Sequence, residues 1–294
     1  MGQFYRESVS GFELEPLDEN IVTIDNVLAS SAHTLSLNAK RLLMLAYAKQ
    51  DPRREKPAGK QLHALITARE WFTLYGSGRR KPYDELREAT EELQRSVVTL
   101  HPCTEYYECW NFTSRARYTH ADNLDSAYVE VFFTAEVSAL LADIFDCFTT
   151  YDLRDIAELS SAYAVRMYEQ LARFRQKDTM DGWFKIEISK LKVMFGAEGK
   201  YKRTNDFVKR CIVEPLKQIS EKADLKIDYK LDKKGNSYHM LTVNFRPKPQ
   251  HSLDLKPPSP KPKPKPKVTT KPQADKPLTA KQKAAMLSDP NHDF

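Results

Sequence analysis

The sequence has few glycines and cysteines, and these shortages exclude several classes of function. Only 9 of the 294 residues are glycine, and neither G-x-G-x-x-G nor G-x-x-x-x-G-K-[ST] occurs. The two commonest phosphate-binding loops are therefore absent, and nucleotide hydrolysis is not expected. The 4 cysteines, Cys103, Cys109, Cys147 and Cys211, show no paired spacing, which argues against the disulfide framework of a secreted protein.

Long apolar runs and targeting signals are also missing. The most apolar stretch, residues 129–148, is interrupted by 4 carboxylates and cannot cross a bilayer. The amino-terminal residues lack a basic region followed by an apolar one, and Arg6 stands where a myristoylation signal requires Ser or Thr. The sequence therefore predicts a cytoplasmic protein without a membrane segment.

Catalytic motifs are equally sparse. No H-E-x-x-H motif occurs, and neither does the His-apolar-His pair of a metal-dependent nicking enzyme with a tyrosine nucleophile. His101, Cys103, Cys109 and His120 are close in sequence but lack the C-x₂-C and H-x₃-H spacing of zinc sites. The prediction is a protein that is not an enzyme and uses no metal ion or cofactor.

The net charge of +6 hides an asymmetry along the chain. Residues 1–150 carry a net −6, residues 151–247 a net +6, and residues 248–294 another +6. A polyanion is therefore expected to bind the second half of the chain. The last segment holds 10 Lys and 10 Pro among 47 residues, a composition that predicts a disordered, extended and solvated tail.

One pattern of elements occurs twice before this tail. In the first copy, helical patterns at residues 36–47, 66–76 and 82–97 precede strand-like runs at 106–113 and 127–133. Ser and Thr residues at capping positions, a proline at the start of the third helix and a glycine after the second mark the helix ends. This copy predicts three helices followed by a β-hairpin.

The second copy repeats the order. Helical patterns lie at residues 159–172, 188–196 and 200–219, and alternating apolar residues at 225–231 and 238–245 flank a Lys-Lys-Gly-Asn turn. Three helices followed by a hairpin form a winged helix-turn-helix domain.

Matching positions of the two copies lie about 120 to 125 residues apart in the chain. Arg41 corresponds to Arg166, and Asp84 corresponds to Asp206. We therefore predict an α+β fold with two tandem winged helix-turn-helix domains related by an internal pseudo-repeat. The predicted segments are a flexible arm (1–30), a first domain (31–150), a second domain (151–247) and a disordered tail (248–294).

The third helix of the second copy, at residues 204–220, is the predicted DNA-reading element. Thr204 is the predicted N-cap, and Pro215 is expected to kink or interrupt the helix. The side chain of Asn205 can pair with adenine N6/N7, and that of Arg210 with guanine O6/N7. The alternative is a solvated basic helix face without a DNA role. The predicted DNA contacts of this helix and of the residues before it are Lys202, Arg203, Asn205, Lys209 and Arg210.

The hairpin of the second copy adds a cluster of lysines. Lys230, Lys233 and Lys234 lie at or near its turn, where they are predicted to contact phosphates as the wing of the domain. Lysines at hairpin tips also protect sheet edges from aggregation, which is the alternative interpretation.

The third helix of the first copy has the opposite charge. Five carboxylates at positions 84, 85, 88, 91 and 92 would lie against phosphates if this helix entered a groove. We therefore predict a unit that contacts protein, or that contacts DNA weakly through Arg79, Arg80 and Lys81. The strand at residues 129–133 is either core or an edge that joins a second chain.

Four segments of the second copy resemble the replication initiators of iteron-containing plasmids: residues 159–171, 191–196, 206–219 and 227–235. The resemblance is specific over residues 155–246, looser over residues 30–150 and absent from the tail. It implies two winged-helix domains in a plasmid-associated protein of the bacterial cytoplasm, with monomers binding double-stranded origin repeats. Such monomers help to melt adjacent A·T-rich DNA and recruit the host's initiator and helicase, whereas homodimers repress their own promoter.

The same resemblance assigns roles by position. The third helix of the second domain becomes the main base reader, and the first domain supplies the dimer surface and auxiliary DNA contacts. Pro215 and the Lys/Pro tail depart from the family pattern. Two alternatives stay open at the level of sequence: a winged-helix repressor without an initiation role, and a nicking or priming enzyme.

Overall fold

The computed structural model describes residues 20–50, 61–76, 81–142 and 148–248. Within these ranges the chain forms two domains, each with helices packed on a three-stranded antiparallel sheet. No helix in the described part of the chain is long and apolar enough to span a membrane.

The first domain begins with a short strand and a short helix. Its elements are β1 (Ile21–Asp25), α1 (Asn26–Ser30), α2 (Leu37–Ala48), β2 (His63–Thr67), α3 (Ala68–Tyr75), α4 (Pro82–Arg95), β3 (Val97–Leu100), β4 (Glu108–Asn111), β5 (Thr113–Thr119), β6 (Tyr128–Phe133) and α5 (Ala135–Ala142). The sheet has the strand order β2-β6-β5, and β3 pairs separately with β4.

The second domain also begins with a short strand and a short helix. Its elements are β7 (Phe148–Asp152), α6 (Leu153–Ala157), α7 (Ala162–Arg173), β8 (Gly182–Glu187), α8 (Ile188–Met194), α9 (Thr204–Val208), a π-helical turn (Lys209–Val213), α10 (Glu214–Lys222), β9 (Leu225–Lys234) and β10 (Ser237–Pro247). The strand order is β8-β10-β9, so each sheet places the last strand of its hairpin in the centre. The two domains are winged helices.

Local sequence signals begin and end the helices of the first domain as predicted. The Ser36 hydroxyl accepts a hydrogen bond from the backbone of residue 39 at the start of α2. Thr67 and Glu70 form both hydrogen bonds of a capping box at α3, which ends at Gly76 with a positive φ of 68°. Pro82 begins α4 at the first helical position. These predicted caps are confirmed.

The sequence analysis predicted that residues 106–113 form the first strand of the hairpin of the first domain, and this prediction is wrong. The run at residues 106–113 contributes to β4, which pairs with β3, whereas the partner of β6 is β5. β5 is an edge strand, and most of its residues are polar and partly or fully exposed. Such a strand lacks the apolar alternation that identifies strands in sequence.

The strand at residues 129–133 is core. It belongs to β6, which lies between β2 and β5 and is buried along nearly its whole length. Because both of its edges are already paired, the alternative that β6 joins a second chain is wrong.

The interpretation of residues 1–30 as a flexible arm is wrong for residues 21–30. β1 pairs with β7 along five residues, and Val22 and Ile24 are buried. A five-residue strand gives only two buried alternating positions, too few for a pattern in sequence. Residues 1–19 and 249–294, predicted as the rest of the arm and most of the tail, lie outside the described residues.

Candidate nucleic-acid interface

Four aromatic rings fix the turn that precedes α9. The ring of Tyr163 on α7 stacks on that of Phe195 with centroids 5.9 Å apart, and the ring of Tyr201 lies 6.0 Å from that of Phe207 on α9. The Lys192 ammonium on α8 donates a hydrogen bond to the Tyr201 carbonyl at 2.7 Å. These contacts anchor the beginning of α9 on the core of the domain.

The helical segment from α9 to α10 packs one apolar face on the core of the second domain. The buried residues are Phe207, Val208, Cys211, Ile212, Pro215, Leu216 and Ile219. Burial raises the pKa of the Cys211 thiol to about 11, so this cysteine is a neutral core residue.

The opposite face of the segment carries the predicted DNA contacts. All five side chains are exposed, and they lie just before α9, in its first turn and in the π-helical turn. They are Lys202, Arg203, Asn205, Lys209 and Arg210. The structure therefore brings four cations and one amide together along the leading half of the segment.

The π-helical turn interrupts the segment directly before Pro215, where an interruption was predicted. The buried positions Phe207, Cys211, Pro215 and Ile219 repeat every four residues. On a regular α-helix such a repeat drifts around the axis by about 40° at each step. The wider π turn reduces this drift, and Pro215 needs no backbone hydrogen bond there because it has no N–H group. Both halves of the segment therefore keep one buried face.

The predicted N-cap of α9 is wrong by one residue. Arg203 occupies the capping position, Thr204 is the first helical residue, and no side chain of the described residues caps the helix. The Asp206 amide donates to the Arg203 carbonyl at 3.1 Å. Helix α9 therefore begins without a side-chain cap from the described residues, and Lys202 and Arg203 lie exposed beside this helix end.

The wing of the second domain is a tight hairpin. Gly235 has a positive φ of 63° in the two-residue turn between β9 and β10, as such turns require. Lys230, Lys233 and Lys234 are exposed. The Lys230 ammonium lies 2.8 Å from an Asp232 carboxylate oxygen, an exposed pair that contributes little to stability. Three cations therefore extend from this hairpin.

Of the three DNA contacts predicted for the first domain, one lies within the described residues. Lys81 is exposed at the N-cap position of α4, whereas Arg79 and Arg80 lie outside the described residues. Two carboxylates of α4 have partners inside the domain. Glu92 accepts hydrogen bonds from the Ser36 amide at 2.6 Å and the Ser36 hydroxyl at 2.5 Å, and Glu85 accepts one from the Trp71 indole at 3.4 Å.

Two arginines on β5 were missed by the sequence analysis. The Arg115 guanidinium lies 4.0 Å from the centre of the Phe132 ring, and Arg117 contacts Glu130 at 3.2 Å. Arg115 and Arg117 are two residues apart, the spacing at which strand residues share a face. The first domain therefore has a second pair of arginines, of which Arg117 is neutralised by Glu130, and the Arg-Ala-Arg sequence at residues 115–117 indicates that they share a face.

The structure describes the positions of the His and Cys residues that the sequence analysis considered as zinc ligands. His101 and Cys103 lie in the loop between β3 and β4, and Cys109 lies on β4. No group of three or more His, Cys, Asp or Glu residues in the described part of the chain is placed to hold a metal ion.

Two family models match the chain. The first, described as Initiator Replication protein, WH1, matches residues 21–172. The chain belongs to the replication initiator protein family. The second family model, Initiator Rep protein, WH2, matches residues 187–245, which hold the wing and the α9–α10 segment. The first model runs from β1 to residue 172, so its match includes β7, α6 and nearly all of α7, although α7 packs against α10 of the second domain.

Relatives of this initiator family member occur in Escherichia coli. A replication initiation protein from that organism is 26% identical over 209 residues, which cover 69% of this chain and 64% of that protein. An uncharacterized 27.6 kDa protein from the same organism is 27% identical over 223 residues, which cover 71% of this chain and 89% of that protein. The match thus spans just under two thirds of the first relative's length.

A solved structure shares the fold. The crystal structure of Pi initiator protein in complex with iteron DNA matches with a TM-score of 0.62 and 20% identity. The match covers 78% of this chain and 98% of the Pi initiator chain. The two-domain winged-helix fold therefore recurs in a protein that was crystallised on iteron DNA.

Proposed function

We propose that this protein is a plasmid replication initiator that binds repeated origin sites, or iterons, as sequence-specific duplex DNA. The observation that carries this proposal is the row of exposed side chains from Lys202 to Arg210, beside a wing with three lysines. Membership of the initiator family and the fold shared with the iteron-bound Pi initiator support it.

In this proposal the leading half of the α9–α10 segment enters the major groove. Asn205 hydrogen-bonds an adenine edge and Arg210 a guanine edge, because these pairings are bidentate and discriminate between bases. Lys202, Arg203 and Lys209 contact phosphates, as do the lysines of the wing. Phosphate contacts set orientation and affinity, whereas the base contacts set sequence preference.

The first domain makes auxiliary DNA contacts and the dimer surface. Lys81 at the start of α4, together with Arg79 and Arg80, contacts phosphates next to the main site. A molecule that holds two segments of duplex bends the DNA between them, and bending promotes opening of an adjacent A·T-rich stretch. The initiator then recruits the host initiator and helicase, and its dimers repress its own promoter.

A plasmid maintenance assay tests the proposal against a repressor without an initiation role. A DNA fragment with this gene and its flanking repeats is expected to maintain itself in a suitable host that supplies no other initiator for it. The double variant Asn205→Ala/Arg210→Ala should abolish maintenance, whereas Lys217→Ala, on the exposed trailing half of the segment, should preserve it. A wild-type gene that represses its promoter but never maintains the fragment would favour the repressor.

A further inference from the structure

The two domains are joined at a ribbon of two antiparallel strands. β1 of the first domain pairs with β7 of the second, and Thr23 lies opposite Thr150 at the centre of the ladder. Their hydroxyl oxygens are 3.4 Å apart. Each strand leads through a short helix, α1 or α6, into the long helix α2 or α7 of its own domain. The junction is therefore built from equivalent parts of both domains.

Two arginines cross this junction in opposite directions. Arg41 on α2 donates from Nη2 to the carbonyls of Ala157, at 2.9 Å, and Leu159, at 3.2 Å, beyond the end of α6. Arg166 on α7 donates from Nη2 to the Ser31 carbonyl, at 2.5 Å, at the end of α1. Each domain thus supplies the hydrogen-bond donor for carbonyls at the end of the other domain's short helix.

An ion pair is buried beside these arginines. The Lys40 ammonium on α2 lies 2.8 Å from Glu169 Oε1 on α7, and these side chains are 4% and 1% exposed. Tyr151 on β7 donates its hydroxyl to the same carboxylate oxygen at 3.0 Å. Gln170 on α7 donates to the Ala29 carbonyl at 2.9 Å. The α2–α7 contact is therefore polar at its centre and closed to solvent.

Buried polar contacts restrict geometry more than apolar contacts do. Apolar side chains that shift by 1–2 Å find new neighbours, whereas a buried charge that loses its partner has no water to replace it. A change in the relative placement of the two domains would therefore break the Lys40–Glu169 ion pair and the hydrogen bonds of Arg41 and Arg166.

We infer that this junction sets the spacing between the two DNA segments that the protein accepts. Lys40, Glu169, Arg41 and Arg166 are positioning residues: they hold the first domain's α4 region at a fixed distance and phase from the α9–α10 segment. The ligand is a duplex with two contact segments at a defined separation. This inference depends on the proposed function, because it assumes that both domains contact the same duplex.

The test measures affinity as a function of spacing with the full chain. Footprinting of the wild-type protein first locates the segments that each domain protects on an origin repeat. Duplexes are then made with one, two or three base pairs inserted between the segments, each pair rotating them by about 34°. The wild-type protein is expected to lose 10-fold or more in affinity with two inserted pairs.

The variant for this test is Lys40→Met/Glu169→Leu, which removes both members of the ion pair together and leaves the hydrogen bond from Arg166 to the Ser31 carbonyl in place. Its affinity is expected to fall less than 3-fold on the same insertions. It should bind a duplex that carries only the segment protected by the second domain with the same affinity as the wild type. The matched control is Lys222→Met/Glu158→Leu, an exposed ion pair of the second domain, which should keep the wild-type dependence on spacing.

A second variant keeps the inference testable if the first one does not fold. Arg41→Met removes one crossing donor and leaves the buried ion pair, and it should also flatten the dependence on spacing. Identical spacing curves for the wild type and the folded junction variants would overturn the inference while leaving the proposed function intact. A flat spacing curve for the wild-type protein would do the same. A wild-type protein that binds none of these duplexes would overturn both.

Discussion

Helix α4 of the first domain and the α9–α10 segment of the second domain differ in charge. In the first domain, α4 carries five carboxylates, of which Glu85 and Glu92 bind partners within the domain. In the second domain, the α9–α10 segment leaves Lys202, Arg203 and Arg210 exposed on its leading half. The two winged-helix domains therefore differ in the charge that these helical segments present.

The largest expected effect is at Arg210, the proposed base contact. Arg210→Ala should lower the affinity for the cognate repeat by about 1–3 kcal/mol and relax the preference at one base pair, because a bidentate guanine contact is lost. Competition binding against a panel of single-base variants measures both effects. Lys217→Ala on the same segment is the control. Equal losses on cognate and random duplex would contradict the assignment.

A second prediction concerns the charge beyond the two domains. Deleting residues 249–294 removes 9 lysines, so the slope of log affinity against log salt should fall by on the order of 2–4. The preferred site should not change, since base contacts are assigned to the second domain. Titrations at several salt concentrations on cognate and random duplex test both statements. A different preferred site after the deletion would show that these residues contribute to specificity.

The acidic helix is expected to affect stability instead of binding. Glu92→Gln should lower the free energy of unfolding by about 1 kcal/mol, because the charge-assisted hydrogen bonds to Ser36 are weakened. Denaturant titration measures this loss, and a double-mutant cycle with Ser36→Ala should show coupling. The affinity for the repeat should stay within 2-fold of the wild type. A larger loss of DNA affinity would place α4 in the DNA interface.

The smallest effect is expected at the wing. Lys234→Ala should weaken cognate and random duplex alike, by less than about 1 kcal/mol, and lower the salt slope by about 1. Parallel salt titrations on the two duplexes provide the measurement. Asp232→Ala, which removes a neighbouring negative charge, should change both affinities in the opposite direction. If Lys234→Ala affected only the cognate site, the wing would read sequence.

The sequence predicted the α9–α10 segment well because burial there follows a simple repeat. Apolar residues at helical spacing from Val208 to Ile219 indicate the buried face, and the polar residues between them are then expected to be exposed. Arg115 and Arg117 were missed because a polar edge strand has no apolar alternation. The error at Thr204 is one residue, since only backbone geometry distinguishes a capping residue from a first helical residue.

The junction between the domains was beyond sequence analysis for a different reason. Lys40 and Glu169 are charged residues on helices, and charged residues are almost never fully buried unless they are paired. Nothing local in the sequence indicates that two charges more than a hundred positions apart become partners. β1 was missed in the same way, since its partner β7 is equally distant along the chain.

The π-helical turn has a consequence for how this protein tolerates change. It separates the exposed residues ahead of Lys209 from the residues after Val213, of which Pro215, Leu216 and Ile219 are buried in the core. Adding one more residue to this already widened turn would rotate everything downstream by about 100°, moving Leu216 and Ile219 towards solvent. Substitutions of the exposed residues in the leading half are therefore expected to be tolerated by the fold, whereas insertions within the turn are not.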